Sequence, residues 1–224
     1  MQGLYSNRHL LSIDEKTGIQ ALGRVEGTAP QSKGLCRRKE FEYIRHGTTT
    51  LMAAVEVATG NIANHRLHPT RNEADFLAFI ETTIARFPQQ DEIVLMVDQL
   101  NTHQSESLVH WVASQIGFEG DLGTKGVKGI LRNIQTRKAF LEDKSHRIRF
   151  VYTPKHCSWL NPIENWFSKL ERHVIRNGNF SSVDELKNKI ETYISFYNRC
   201  LLKPLNWKFK GFIKAKELKN ITIN

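Results

Sequence analysis

Apolar residues along this chain recur in two patterns, short unbroken runs and longer runs with helical spacing. The block 93–97 is apolar throughout, which predicts a strand buried on both faces of a sheet. Residues 9–14 form a similar run that stops at a turn-rich string, so we expect a buried strand ending in Asp14. Apolar side chains over 72–87 instead recur every three or four residues and end at Pro88, which predicts a helix.

The same criteria divide the rest of the chain. We predict further strands over 41–46, 49–58 and 148–152, further helices over 105–116, over 183–197 and from Asn161 onwards, and a loop over 16–39. Three strands followed by alternating helices and strands predict an α/β fold, with a mixed five-stranded sheet flanked by helices. A single domain accounts for residues 1–224.

The segment 117–147 does not fit this alternation. Glycine occupies every third position from 117 to 129, and a basic stretch of helical character follows over 130–140. We interpret the segment as an inserted loop or hairpin before the last strand. Its basic side chains could contact phosphate, but a solvated loop is the simpler interpretation. These side chains are Lys125, Lys128, Arg132, Arg137 and Lys138.

Positive charge is concentrated towards the end of the chain. The sequence has 32 Lys and Arg against 23 Asp and Glu, and residues 165–224 carry +7 of the resulting +9. Such an excess favours a polyanionic partner without identifying it, and a solubilising helical face would have the same composition.

Cysteine usage and hydropathy point to a cytoplasmic protein. Cys36, Cys157 and Cys200 are few and widely spaced, which argues against a disulfide framework and shows no zinc-ligand spacing. No apolar run approaches the roughly 20 residues that span a bilayer, and the first residues do not resemble a signal peptide. We therefore expect no membrane partner.

Three carboxylates are candidates for a metal site. Asp14 and Asp98 each end a predicted buried strand, where ligand sites of open α/β sheets collect, and Glu164 opens the helix after the last strand. Each has an ordinary structural explanation: an Asp before a turn is common, and residues 161–164 have the order of a helix capping box. Together, however, the three could bind two Mg²⁺ ions about 4 Å apart.

Two sequence blocks carry a resemblance to a known family. Residues 97–103 read Val-Asp-Gln-Leu-Asn-Thr-His, and 153–167 read Thr-Pro-Lys-His-Cys-Ser-Trp-Leu-Asn-Pro-Ile-Glu-Asn-Trp-Phe. Both resemble the DDE transposases of the Tc/mariner superfamily, particularly its bacterial insertion-sequence branch. Weaker matches at 12–16, 176–180, 196–198 and 203–204 extend the resemblance from 12 to about 211.

The resemblance implies an RNase H-like fold and a catalytic triad of Asp14, Asp98 and Glu164, which would hold two Mg²⁺ or Mn²⁺ ions. It implies cleavage of DNA at transposon ends and strand transfer to a target, in the bacterial cytoplasm at the nucleoid, by a homo-oligomer that joins two ends. The resemblance places His103 and Asn161 beside the triad as supporting residues. We expect Lys155, Arg172 and Arg176 to contact the DNA backbone. We expect Trp159, Trp166 and Phe167 to be core residues, with a position of Trp159 beside DNA as the alternative.

The chain departs from the family pattern in two ways. Between Asp98 and Glu164 there are 65 residues, an excess that the segment 117–147 accounts for. The helix-turn-helix region that usually precedes the first Asp is absent, so we expect a separate N-terminal polypeptide to supply end recognition. Two alternatives therefore stay open, a non-catalytic DNA-binding remnant and an RNase H-like nuclease without transposition.

Overall fold

A mixed five-stranded sheet forms the centre of the protein. The computed structural model describes residues 7–24, 42–155 and 157–205, and the strand order is β3-β2-β1-β4-β5. β1 is antiparallel to β2 and parallel to β4, β2 is antiparallel to β3, and β4 is parallel to β5. The strands are β1 (Arg8–Arg24), β2 (Tyr43–Glu56), β3 (Ile62–His68), β4 (Glu92–Val97) and β5 (Ile148–Tyr152). The predicted mixed sheet is thereby confirmed.

Helices cover both faces of this sheet. They are α1 (Glu73–Ile84), α2 (Glu106–Gln115), α3 (Ile134–Leu141), α4 (Ile163–Leu170) and α5 (Val183–Cys200), with 3₁₀ turns at Asn101–Gln104, Ile130–Arg132 and Ser158–Leu160. Helices α1, α2 and α3 pack on one face, hereafter the first face, and α4 and α5 on the other, the second face. After Leu170, α4 continues as a π-helical turn over Glu171–Ile175.

The strand boundaries differ from the prediction in the first part of the chain. β1 continues through residues 16–24, which were predicted as loop, and Asp14 lies inside the strand rather than at its end. A register shift between Lys16 and Ile19 interrupts the two-residue alternation, which hides the strand in the sequence. The predicted loop residues 25–39 lie outside the described residues.

The second and third predicted strands are also wrong in detail. Residues 43–56 form the single strand β2, and the third strand of the meander is β3, which the sequence analysis missed. β3 has two buried residues, Ile62 and Asn64, and the second is polar: its Nδ2 donates to Thr83 Oγ1 at 2.9 Å. This polar residue interrupts the apolar alternation that would reveal the strand.

The segment 117–147 is folded against the core rather than being a solvated loop. Leu131 and Leu141 are fully buried under the first face of the sheet. Arg137 Nε donates to the carbonyl of Gln104 at 2.7 Å, so this cation is used inside the protein. Lys125 and Lys128 do lie at the surface, in ion pairs with Glu106 and Asp121.

The aromatic predictions are partly confirmed. Trp166 and Phe167 are buried in the core between α4, α5 and the sheet, as expected. Trp159 is 69% exposed, so its interpretation as a core residue is wrong. It lies on the 3₁₀ turn that follows β5, where the chain passes over the edge of the sheet.

Two further expectations concern cysteines and membranes. Cys157 and Cys200 are free thiols, and Cys36 lies outside the described residues. No helix in the described part of the chain combines the length and apolar character needed to cross a bilayer.

Burial of Leu131 gives a test of whether the segment 117–147 belongs to the folding unit. We expect Leu131→Ala to lower the free energy of unfolding by about 2–5 kcal/mol, because it leaves a cavity in a close-packed core. Chemical denaturation followed by circular dichroism measures this. The control is Ile134→Ala, an exposed apolar residue of the same segment, which should change stability by less than about 0.5 kcal/mol. Equal effects of the two substitutions would contradict the packing described.

Candidate active site

Asp14 lies where the central strand β1 passes beneath the start of α4. Its side chain is almost fully buried on the second face. Oδ1 accepts the backbone N–H of Glu15 at 2.8 Å, and Oδ2 accepts the side-chain amide of Asn161 at 3.1 Å. Both oxygens therefore have a fixed direction before any ligand binds.

Asn161 joins α4 to β1. Its Nδ2 also donates to the carbonyl of Ile13 at 2.9 Å, and its Oδ1 accepts the hydroxyl of Ser12. The same Ser12 oxygen accepts the N–H of Ile163 at 3.0 Å, so a strand residue satisfies the first turn of the helix. The capping-box interpretation of residues 161–164 is therefore wrong: the Asn161 side chain turns to β1, and Pro162 occupies the cap position without a side-chain bond.

Asp98 directly follows β4, at the carboxyl end of the parallel strands, and 40% of its side chain is exposed. Its Oδ1 accepts the N–H of Leu100 at 2.9 Å and lies 2.7 Å from Nδ1 of His103. Burial raises the pKa of Asp98, but the hydrogen bond and charge of His103 outweigh it and hold the pKa below its ordinary value. This carboxylate is therefore ionised at neutral pH.

His103 is completely buried on the 3₁₀ turn after Asp98. Its Nδ1 faces Asp98 and its Nε2 lies 3.2 Å from Oε1 of Glu15. Burial lowers the pKa of His103, but the hydrogen bonds to the two carboxylates raise it to about 9, so the ring is a cation at neutral pH. The sequence analysis expected His103 beside the triad, and it did not single out Glu15.

Glu164 lies in the first turn of α4 and is partly exposed. Burial raises its pKa, the positive charge of Lys16 lowers it, and the negative charge of Asp98 raises it, with a net rise. For Asp14, burial is the largest cause of a pKa raised to about 7; the Glu15 N–H opposes it, and the charges of Asp98, Glu164 and Glu15 add to it. The negative charges of the three carboxylates predicted as a triad therefore act on one another's pKa.

The donor chemistry suits a divalent cation. Carboxylate oxygens are hard ligands of the kind that Mg²⁺ and Mn²⁺ prefer, and clustered carboxylates repel one another unless a cation lies between them. Among the described residues, however, no three His, Cys, Asp or Glu side chains form a ready-made metal-binding cluster. The three carboxylates are therefore suitable metal ligands by their chemistry and by their mutual repulsion, but their oxygens do not already lie at ligating distance from a common point.

Basic side chains border the site on two sides. Lys16, Arg172 and Arg176 line a cavity of about 250 Å³ together with Glu164. Lys155 lines another, of about 350 Å³, together with Asp98. The predicted basic residues therefore lie beside two different carboxylates. Lys16 was not predicted, although it stands two residues after Asp14 on the same strand.

The π-helical turn of α4 carries two of these cations. The N–H of Arg176 donates to the carbonyl of Glu171, five residues earlier, at 2.8 Å. Glu171 Oε2 in turn lies 3.0 Å from Nζ of Lys16, which ties the turn to β1. π-helical turns are rare and are often found at functional sites.

Solved structures of Mos1 transposase resemble this chain in fold. The chain superposes on the Mos1 mariner paired-end complex with Mn at a TM-score of 0.53 and 13% identity, over 85% of this chain and 50% of that one. The Mos1 strand transfer complex gives 0.52 and 12%, over 85% and 49%. The Mos1 transposase catalytic domain with raltegravir and Mg gives 0.50 and 12%, over 85% and 75%.

These likenesses establish the fold, which is the RNase H-like fold of the Mos1 catalytic domain. The chain spans about half of the length of the Mos1 chains in the two DNA complexes. No curated protein sequence is similar enough to count as a match. The family model of the DDE superfamily endonucleases, in contrast, matches residues 9–187. Because that match spans most of the chain, including the stretch from Asp14 to Glu164, this protein belongs to the DDE superfamily of endonucleases.

Proposed function

We propose that this protein is the catalytic domain of a transposase that cuts DNA at the ends of a mobile element and transfers the cut strand to a target. The observation that carries the proposal is the placement of three carboxylates on adjacent elements: Asp14 lies on β1, Asp98 directly follows the neighbouring parallel strand β4, and Glu164 lies in the first turn of α4, whose start is bonded to β1. It is supported by the family match and by a fold shared with complexes of Mos1 transposase.

In this proposal the three carboxylates hold two Mg²⁺ or Mn²⁺ ions. When bound, such ions would activate a water or a 3′-hydroxyl and stabilise the leaving oxygen. The hydrogen bond from Asn161 Nδ2 fixes the orientation of Oδ2 of Asp14. The hydrogen bond and positive charge of His103 keep Asp98 ionised. The buried Asp14 carboxylate is costly to ionise without a cation, so this position favours cation binding.

DNA would lie across the carboxyl ends of β4 and β5 and the start of α4. Lys155 lies beside Asp98, while Lys16, Arg172 and Arg176 lie beside Glu164, so phosphates on both sides of the scissile bond could be neutralised. Contacts of this kind fix the position of DNA without reading its sequence. Sequence recognition would then come from elsewhere, such as a separate N-terminal DNA-recognition polypeptide.

The biological setting follows from the same family resemblance. We propose that the protein serves a bacterial insertion sequence, acts at the nucleoid in the cytoplasm, and works as a homo-oligomer because two element ends must be held together. The Mos1 paired-end and strand transfer complexes are assemblies of the kind that this activity requires.

The first prediction concerns the three carboxylates. We expect the unmodified protein to nick and join a pre-cut DNA end in Mn²⁺, and expect Asp14→Asn, Asp98→Asn and Glu164→Gln to give no product above background, because each removes a charged metal ligand. Gel assays of strand cleavage and strand transfer measure this. Asp143→Asn, an exposed acid on the segment 117–147, is the matched control and should stay active.

Three outcomes would contradict the proposal. Undiminished cleavage by Asp98→Asn would exclude the triad. DNA binding without any cleavage by the unmodified protein would favour the non-catalytic remnant, and cleavage restricted to RNA–DNA hybrids would favour a nuclease that does not transpose.

The second prediction concerns the cost of ionising Asp14. The pKa of Asp14 in the folded protein is raised to about 7 from 3.8. In the unfolded chain this carboxyl keeps its ordinary pKa of 3.8, so the neutral side chain contributes stability that is complete below about pH 3.8 and is lost progressively as the pH rises to about 7. Asp14→Asn should therefore unfold at a higher denaturant concentration than the unmodified protein at about pH 8, and this gain should be smaller at about pH 5 and vanish below about pH 4.

Divalent metal completes this test. Mn²⁺ should raise the melting temperature of the unmodified protein and have a smaller effect on Asp14→Asn, since a bound ion stabilises the ionised carboxylate. Equal stability of the two proteins at about pH 8 without metal would contradict the pKa argument.

The third prediction concerns the basic cavity beside Glu164. Lys16→Gln, Arg172→Gln and Arg176→Gln should each weaken binding to duplex DNA of any sequence, and should reduce the slope of log K against log salt by about 1 for each phosphate that the variant no longer neutralises. Fluorescence anisotropy in an Asp98→Asn background measures this without cleavage. Lys128→Gln, an exposed cation of the segment 117–147, is the control, and an unchanged slope in all variants would contradict a phosphate-binding role.

A further inference from the structure

Two adjacent acids on β1 point to opposite faces of the sheet. Asp14 faces α4 and Asn161, whereas Glu15 points towards the first face, where it meets His103. The Glu15 side chain is only 4% exposed, and its Oε1 lies 3.2 Å from Nε2 of His103. An acid buried to this degree in the core requires a partner, and the ring supplies one.

The ring of His103 is held on every side. It is fully buried and packs on Phe76, with ring centroids 4.1 Å apart. The carbonyl of His103 accepts the hydroxyl of Tyr152 at 2.7 Å, which fixes its backbone to β5. Because both ring nitrogens face carboxylate oxygens, of Glu15 and Asp98, both must donate. The imidazole therefore forms a rigid link from β1 to the residue after β4.

This link determines how Asp98 is oriented. Both donors described for its carboxylate, Nδ1 of His103 and the N–H of Leu100, meet the same oxygen, Oδ1. Among the contacts of the described residues, Oδ2 has no hydrogen-bond donor, so it is the oxygen available to a ligand. Of the three linked side chains, Glu15, His103 and Asp98, that of Asp98 is the most exposed. Without its bond to His103, the Asp98 side chain could therefore rotate.

We propose that Glu15 is a positioning residue of the active site, acting through His103 to hold the Asp98 carboxylate in the orientation that a metal ion requires. The inference rests on the proposed metal-dependent function and adds to it a residue on the opposite face of the sheet from Asp14. Loss of Glu15 leaves Nε2 of His103 unsatisfied in the core, which frees the ring and, with it, Oδ1 of Asp98.

A purely structural role for Glu15 makes a different prediction. If the Glu15–His103 pair only stabilised the core, its loss would lower the melting temperature and leave metal affinity of the folded protein unchanged. A positioning role weakens metal binding at a temperature where the variant is fully folded, and a side chain that still accepts a hydrogen bond from Nε2 restores much of it.

The experiment measures Mn²⁺ binding to the DNA-free protein by isothermal titration calorimetry. We expect Glu15→Ala to raise the Kd about 10- to 100-fold, in the range usual for residues that orient a metal ligand. Glu15→Gln, whose amide oxygen can still accept from His103, should bind distinctly better than Glu15→Ala. The matched control is Glu56→Gln: Glu56 also pairs with a histidine, His9 at 2.8 Å, and lies at the other end of the sheet. Its Kd should equal that of the unmodified protein.

A second variant keeps the test valid even if Glu15→Ala does not fold. Glu15→Asp keeps the carboxylate but withdraws it by one methylene group from Nε2 of His103, which lies 3.2 Å from Glu15 Oε1. We expect its Kd for Mn²⁺ to rise above that of the unmodified protein, and an equal Kd in the folded variant would overturn the inference.

The outcomes separate this inference from the proposed function. If the unmodified protein binds Mn²⁺ and Glu15→Ala binds it equally well, Glu15 is not a positioning residue and the metal site stands. If the unmodified protein neither binds Mn²⁺ nor cleaves DNA, the proposed function fails, and the positioning role fails with it.

Discussion

The central strand β1 constrains the entire site, because it is hydrogen-bonded on both sides, to β2 and to β4. A strand held on both edges cannot rotate, so consecutive side chains must point to opposite faces. Ser12 and Asp14 are thereby directed to the second face, and Ile13 and Glu15 to the first. A shift of one residue in this register would place the Asp14 carboxylate among the apolar side chains of the first face and Ile13 beneath α4.

The side chains that position the carboxylates differ between the two faces of the sheet: they are neutral on the second face and charged on the first. Ser12 and Asn161 attach the start of α4 to β1 through neutral hydrogen bonds, which sets Glu164 relative to Asp14. His103 reaches Asp98 from the first face and carries a positive charge. A buried Asp14 beside other carboxylates opposes folding at neutral pH. Such a cost is expected where a site is arranged for a ligand rather than for stability.

The parts of the fold that could be predicted are those with a simple repeat. β4 and the position of Asp98 follow from an unbroken apolar block, and α1 follows from apolar residues at helical spacing ended by Pro88. The end of β1 could not be predicted because the register shift after Lys16 breaks the alternation. β3 could not be predicted because Asn64 is buried through a hydrogen bond to Thr83 rather than through apolar packing.

The site, too, contains residues that could be predicted from the sequence and residues that could not. Asp98 and Glu164 are recognisable from local sequence, but Asn161 follows a local capping rule that a contact with β1, nearly 150 residues away, overrides. Glu15 could not be distinguished from Asp14 without the faces of β1, since adjacent acids look equivalent in a sequence. Residues that act through another side chain have no motif of their own, and only the three-dimensional contacts identify them.

The π-helical turn at Glu171–Ile175 has a consequence for how this architecture can vary. Such a turn contains one residue more than α-helical geometry needs, so a single deletion within it would let the helix continue as a regular α-helix. Everything up to Leu170, including Glu164, would keep its place, while the residues at the end of the helix, including Arg176, would rotate by about 100° around the helix axis. A change in chain length alone could therefore redirect Arg176 and leave the three carboxylates in place. In the proposed function, the path of the DNA could then vary independently of the carboxylates.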